Sequence, residues 1–194
     1  MAFAFSKSML ANTVLNHLDW TLDKHGYKFV RYADDFVVLC KSREQAERVL
    51  KVVKNVIEED LELSLSPEKT VITDFKQGFE FLGFFITSHS VKMRPKAKGN
   101  FKEKVKDVTV RCHNLDKKVI EKLNRIIRGV VNYYAKAYTS TKSQFTELDR
   151  WLRMRIRCMK YKRKWKTDNK RMKIKHIMRL GLLSCRDLCI ARSV

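Results

Sequence analysis

KFVRYADDFVVLC, residues 28–40, sets two strand-forming runs on either side of adjacent carboxylates, Asp34 and Asp35. Residues 27–32 and 36–41 are rich in Tyr, Phe and Val. The short Ala-Asp-Asp connection predicts a β-hairpin, although it lacks the Asn-Gly or Asp-Gly pair that tight hairpin turns favour. Upstream, Leu10, Val14, Leu18 and Leu22 recur at i, i+4 spacing and predict an amphipathic helix over 9–24, closed near Gly26. Downstream, Ser42 is placed to cap a helix whose apolar stripe is Ala46, Val49, Leu50, Val53 and Ile57 and whose end falls near Glu59. Ser66 and Pro67 turn the chain, and residues 70–75 and 79–87 are strand candidates around Gly78. The expectation is an α+β part with a small antiparallel sheet and helices on one face.

Beyond Pro95 the strand signal stops. Val119, Ile120, Leu123, Ile126, Ile127, Val130, Val131 and Tyr134 follow helical periodicity over 116–138, with Asp116 as N-cap. Residues 141–164 repeat the pattern with Phe145, Leu148, Trp151, Leu152 and Ile156, and 172–180 form a last short helix before Gly181. The second half therefore reads as a bundle of three or four helices. The boundary is drawn at 97/98.

Charge divides at the same place. Of 42 Lys/Arg and 21 Asp/Glu, residues 1–97 hold 14 and 13, whereas residues 98–194 hold 28 and 8. A helical half so basic calls for a polyanion, with nucleic acid ahead of an anionic membrane surface. Its densest stretch, Arg150 to Arg179, has 14 Lys/Arg against the single Asp168, with Trp151, Tyr161 and Trp165 interleaved. Cations attract phosphate without regard to sequence, and aromatic faces stack on unpaired bases. Arg150, Arg153, Arg157, Lys160, Arg163, Lys164, Trp165 and Lys166 are the candidate RNA contacts; Trp151, on the apolar stripe, is assigned to the core.

Other classes recede. The longest apolar runs fall far short of the roughly 18 residues of a membrane span, and MAFAFSKSMLA does not read as a signal peptide. Five scattered cysteines suit reduced thiols in a bacterial cytoplasm or an organellar matrix. Cys185 and Cys189 with His176 lack the paired spacing of a zinc site and read as helical core thiols.

Two readings of Asp34 and Asp35 stand side by side. Aspartate is a favoured turn residue, and the pair then only closes the hairpin. Alternatively the carboxylates hold divalent metal: two Mg²⁺ ions about 4 Å apart activate a 3′ hydroxyl and stabilise departing pyrophosphate.

Several ordered stretches decide between them. RYADDFVVLCKS resembles the catalytic hairpin of the reverse transcriptase palm in group II intron-encoded reverse transcriptase/maturases. MLANTVLNHLDWTL before it, LSLSPEKTVITDF and FEFLGFFI after it, and then LNRIIRGVVNYY and LDRWLRMRIRCMKYKRKWK resemble that family's later segments in order, from about Ser8 to Gly181. The resemblance implies Mg²⁺ on Asp34, with Asp35 as a less direct partner. It places Tyr32 and Ala33 beside the primer end or nucleotide, and Lys69 near phosphate. Phe81, Leu82, Gly83 and Phe84 become a primer grip, with Gly83 allowing close backbone approach. It also implies structured intron RNA and a DNA primer/template as partners.

The family's earlier metal-binding aspartate, its fingers and its Pro-Gln-Gly loop have no counterpart here; Asp19 and Asp23 fall on the first helix. The expectation is therefore a truncated enzyme, inactive alone and completed by a separate N-terminal fragment. The alternatives are a non-enzymatic RNA-binding maturase-like module or a decayed remnant.

Overall fold

The computed structural model describes residues 7–111, 114–162 and 171–192, which form two compact units, 1–74 and 75–194. This division falls before the 97/98 boundary drawn from charge, because residues 79–93 belong with the helices that follow them.

The first unit has two layers. Helix α1 (Lys7–Lys24) precedes β1 (Lys28–Tyr32) and β2 (Asp35–Leu39), which pair antiparallel from Lys28↔Leu39 to Tyr32↔Asp35. Helix α2 (Arg43–Lys54) runs into a π-helical turn, Asn55–Asp60. Ser42 caps α2 as expected, its hydroxyl accepting from the Gln45 amide at 3.2 Å. Leu18, Leu22, Val49, Val53, Val56 and Ile57 form the core, with Phe29, Phe36 and Val38 from one face of the hairpin packed on it. Two positions differ from the predicted stripes. Leu15 is buried where Val14 was expected, and the wider π turn brings both Val56 and Ile57 inward.

Residues 70–75, expected as a strand, form none. Val71 is 72% exposed, and Ile72 and Phe75 are exposed too. The partner expected across Gly78 turns back on itself instead. β3 (Phe79–Phe81) and β4 (Phe84–Ile86) make a hairpin around Leu82 and Gly83, so the single strand read over 79–87 is two. Both turn residues have positive φ, +47° and +80°, the signature of a type I′ turn whose twist matches the strands it joins.

β5 (Val91–Met93) adds antiparallel to β4 and completes a three-stranded sheet in the second unit. The outer edge of β5 is covered by a side chain. Gln144 Nε2 donates to the Met93 carbonyl and the Met93 amide donates to Gln144 Oε1, both at 2.9 Å, so one amide stands in for a neighbouring strand.

Around this sheet the described residues form five helices: α3 (Pro95–Val108), α4 (Lys117–Tyr134), α5 (Lys142–Lys160), α6 (Ile174–Arg179) and α7 (Cys185–Arg192). α3 was not anticipated, and α7 carries Cys185 and Cys189, the thiols read as helical core. α3 starts with Pro95 at its first turn and buries Phe101 and Val105 among lysines. Asp116 caps α4 through the Val119 amide at 2.8 Å. The core joins Phe101 and Val105 to Leu123, Ile127 and Val131 of α4, Phe145, Leu148, Leu152 and Ile156 of α5, and Cys185 and Cys189 of α7. Burial pushes the Cys185 thiol well above its ordinary pKa, with nearby Asp149 adding to the effect, so it stays protonated.

Asp149 is the buried charge that α7 is built on. Its carboxylate accepts from Ser184 Oγ (2.9 Å), the Cys185 amide (2.8 Å) and the Arg186 amide (3.0 Å), satisfying donors at the start of α7 from a distant helix. Asn124 ties down the preceding turn, donating to the Gly181 carbonyl and accepting from the Leu183 amide.

Two substitutions test these supports. Asp149→Ala should lower the stability measured by urea denaturation by about 3 kcal/mol, since it strands buried donors; a loss under about 1 kcal/mol would show that the α7 cap is dispensable. Gly83→Ala should cost about 1–2 kcal/mol because its φ is positive and the new Cβ would lie 2.9 Å from the Tyr134 hydroxyl. In a Tyr134→Phe background the same change should cost less, and an equal cost would assign the whole effect to backbone strain.

Candidate catalytic hairpin and basic groove

The hairpin tip places the two aspartates differently. Ala33 and Asp34 form the two-residue turn, while Asp35 is the first residue of β2, opposite Tyr32. Both carboxylates are exposed, and among the described residues neither has an ion-pair partner. Tyr32 is 67% exposed. Lys69 is exposed at the turn after Pro67, its amide donating to the Ser66 carbonyl.

Ala33 takes φ +54°, a left-handed conformation that is strained for a residue with a Cβ. Arg31 holds it there. Its Nη1 donates to the Ala33 carbonyl (3.0 Å) and to Asn12 Oδ1 (2.9 Å), while Nε donates to Asp19 Oδ1 (2.8 Å) and Oδ2 (3.0 Å) and Nη2 to Asp19 Oδ2. The guanidinium thus bolts the turn to α1. Its side chain is 12% exposed and that of Asp19 23%. The hydrogen bonds to Asp19 raise the Arg31 pKa above its ordinary value, against the opposing effect of burial. Asp19 is therefore committed to Arg31. Sequence reading singled out neither role, since the link spans a helix and a strand 12 residues apart.

In the second unit, Phe81 and Phe84 face each other across the β3–β4 turn, with Leu82 and Gly83 between them. The Tyr133 hydroxyl donates to the Leu82 carbonyl at 2.7 Å, and Phe84 stacks on the Tyr133 ring at 5.6 Å and meets Tyr134 edge-on at 5.0 Å. The close approach that Gly83 permits is that of the Tyr134 hydroxyl.

The helices of this unit build an open groove of about 920 Å³. Arg150, Arg153 and Arg157 of α5 line it, at i, i+3 and i+7. Lys102 of α3 and Lys173 and Lys175 at the start of α6 join them, together with Trp151, Met154 and Ile174. Sequence reading named the α5 cations and counted Lys173 and Lys175 in the same basic stretch without naming them, but missed Lys102, which lies on another helix far earlier in the chain. Trp151 packs against the core as expected and also lines the groove, where Lys102 Nζ lies 5.8 Å from the ring centroid. Among the described residues Glu147 is the one acidic lining residue, and it is met by Lys98 (3.2 Å) and Lys102 (3.7 Å). Arg157 Nε donates to the Met172 carbonyl at 2.9 Å; burial first, then Arg153 beside it, lowers its pKa. Lys160 is exposed outside the lining, and Arg163, Lys164, Trp165 and Lys166 lie outside the described residues. No described helix is long and apolar enough to cross a membrane.

Comparison with known proteins matches both parts in order. Residues 7–86 match the family described as reverse transcriptase (RNA-dependent DNA polymerase), a class that uses divalent metal. Residues 98–180 match the group II intron, maturase-specific domain, and the chain belongs to the group II intron-encoded reverse transcriptase/maturase family. It is 43% identical over 60 residues to the group II intron-encoded protein LtrA of Lactococcus lactis subsp. cremoris, an alignment covering 30% of this chain and 10% of that protein. It is 34% identical over 68 residues to the putative COX1/OXI3 intron 2 protein of Saccharomyces cerevisiae (34% and 8%), and 39% identical over 61 residues to protein YkfC of Escherichia coli (31% and 16%). The matched segments thus span at most 16% of these relatives.

The bolt at the hairpin is testable by a double-mutant cycle. Arg31→Ala alone should destabilise the β1–β2 amides by about 3 kcal/mol in hydrogen exchange, because Asp19 is left half-buried and unpaired. Adding Asp19→Ala should recover part of the loss. Strict additivity would mean that the pair is not coupled.

Proposed function

We infer that the chain serves RNA-directed DNA synthesis on a structured intron RNA, with a palm-like part over 1–97 and an RNA-holding part over 98–194. The observation that carries this reading is the exposed Asp34, without an ion-pair partner among the described residues, at a turn pinned by Arg31. Asp34, with Asp35 beside it, offers oxygen ligands of the kind Mg²⁺ accepts, the ion taking the rest of its shell from water and phosphate. The bound ion supplies charge neutralisation and polarisation of phosphate oxygens during nucleotidyl transfer. Arg31 contributes by fixing the turn before the substrate arrives, so that Asp34 needs no reorganisation. Tyr32 and Ala33 are assigned to the nucleotide's vicinity, Phe81 to Phe84 to the primer strand, and Lys69 to phosphate.

Asp19 is spent on Arg31, and among the described residues no group of three or more His, Cys, Asp or Glu is placed to hold a metal. In this reading a carboxylate from outside the described residues completes the site. A second reading, maturase-like RNA binding without synthesis, draws on the basic groove, whose cations do not depend on Asp34.

Primer extension on an RNA template with Mg²⁺ separates the two. The chain supplemented with the earlier palm and fingers of a relative should extend the primer. Asp34→Ala should abolish extension, by about 10³-fold or more, while leaving RNA affinity unchanged. Binding without extension in the supplemented wild type would favour the second reading.

A further inference from the structure

The groove between α3, α5 and the start of α6 has two chemistries in one place. Its walls are cationic, and among the described residues Arg150, Arg153, Lys173 and Lys175 have no carboxylate partner. Its apolar lining, here called its floor, is Trp151, Met154 and Ile174, the last exposed and uncovered among the described residues. A ligand that offered only phosphates, such as the backbone of a regular RNA duplex, would satisfy the walls and leave the floor against water. An A-form helix keeps its bases stacked inside, so it has no flat apolar surface to place there. An unpaired nucleotide has both parts on one unit, a π-face and a phosphate on each side. The volume, about 920 Å³, falls within the ~300–1,000 Å³ range of clefts that take small ligands. That Lys102 already sits over the Trp151 ring shows that a face of the indole is open to polar groups and not sealed by the core.

We propose that this groove takes a single unpaired ribonucleotide turned out of a structured RNA, its base on Trp151, Met154 and Ile174 and its flanking phosphates on Arg150, Arg153 and Lys175. The proposal rests on the RNA-holding reading of residues 98–194 and specifies what is held. Discrimination for a bulge over a paired helix then resides in the floor, while overall affinity resides in the walls. Packing against the core on one side keeps the indole in place, so the stacking surface exists before the RNA arrives.

The test uses the full chain and two fluorescein-labelled RNA hairpins that differ only by one single-nucleotide adenosine bulge, with binding followed by fluorescence anisotropy. The bulged RNA should bind about tenfold tighter. Trp151→Leu and Ile174→Ser should each erase that preference and leave affinity for the unbulged hairpin unchanged, whereas Arg153→Ala should weaken both RNAs alike. Ile174 opens a short exposed helix, so its variant keeps the test valid if Trp151→Leu fails to fold. Equal affinity of the unaltered chain for the two hairpins, or a preference that persists in either floor variant, overturns the proposal while leaving RNA binding intact. Failure to bind either hairpin overturns the RNA-holding reading itself.

Discussion

Among the described residues, six cations line the groove beside the Trp151 indole with a single carboxylate, Glu147; they repel one another, and the helical unit exists because α5 is held too firmly to yield to that repulsion. The face of α5 opposite the arginines buries Phe145, Leu148, Leu152 and Ile156 in the common core. Burying each such side chain is worth about 2 kcal/mol, whereas repulsion between partly exposed charges is weak and screened by salt. Asp149 then locks α7 against the same helix with three hydrogen bonds. The core holds the charges in a pattern that only a polyanion relieves. Binding and folding are thus complementary faces of one helix.

The hairpin follows the same logic with opposite sign. Two adjacent carboxylates at a turn gain nothing from each other, and Ala33 adds strained backbone beside them. Arg31 offsets the strain by anchoring the Ala33 carbonyl, and its own charge goes to Asp19, which leaves Asp34 and Asp35 without a cation of their own among the described residues.

Much of this was legible in the residues wherever the signal is local. A hydroxyl or carboxylate before an apolar stripe gave the caps at Ser42 and Asp116, and two β-rich runs gave the hairpin. Reading failed where a pattern needed its partner. VITDF has the β-branched residues of a strand but forms none, since FEF pairs instead with FFI across a Leu-Gly turn that residue counting could not separate from a continuous strand. Helix α3 hid because Gly99, Asn100 and seven residues' worth of surface polarity dilute the spacing of Phe101 and Val105. The groove was half visible: Arg150, Arg153 and Arg157 share a face by simple periodicity, but Lys102 and Lys175 join them only through tertiary packing. Arg31 and Asp19 escaped notice for the same reason.

Family membership fixes the order of the parts, and the proposed division of work has carboxylates presented by one unit and phosphate held by the other. The claim on which this division depends is that the groove cations meet RNA phosphates. The most direct measurement is the slope of log K against log salt for RNA binding, taken for the unaltered chain and for a chain with Arg150, Arg153 and Lys175 replaced together by alanine. If the groove meets phosphates, the slope becomes shallower by about 2–3. An unchanged slope would place the RNA elsewhere on the molecule and contradict the account.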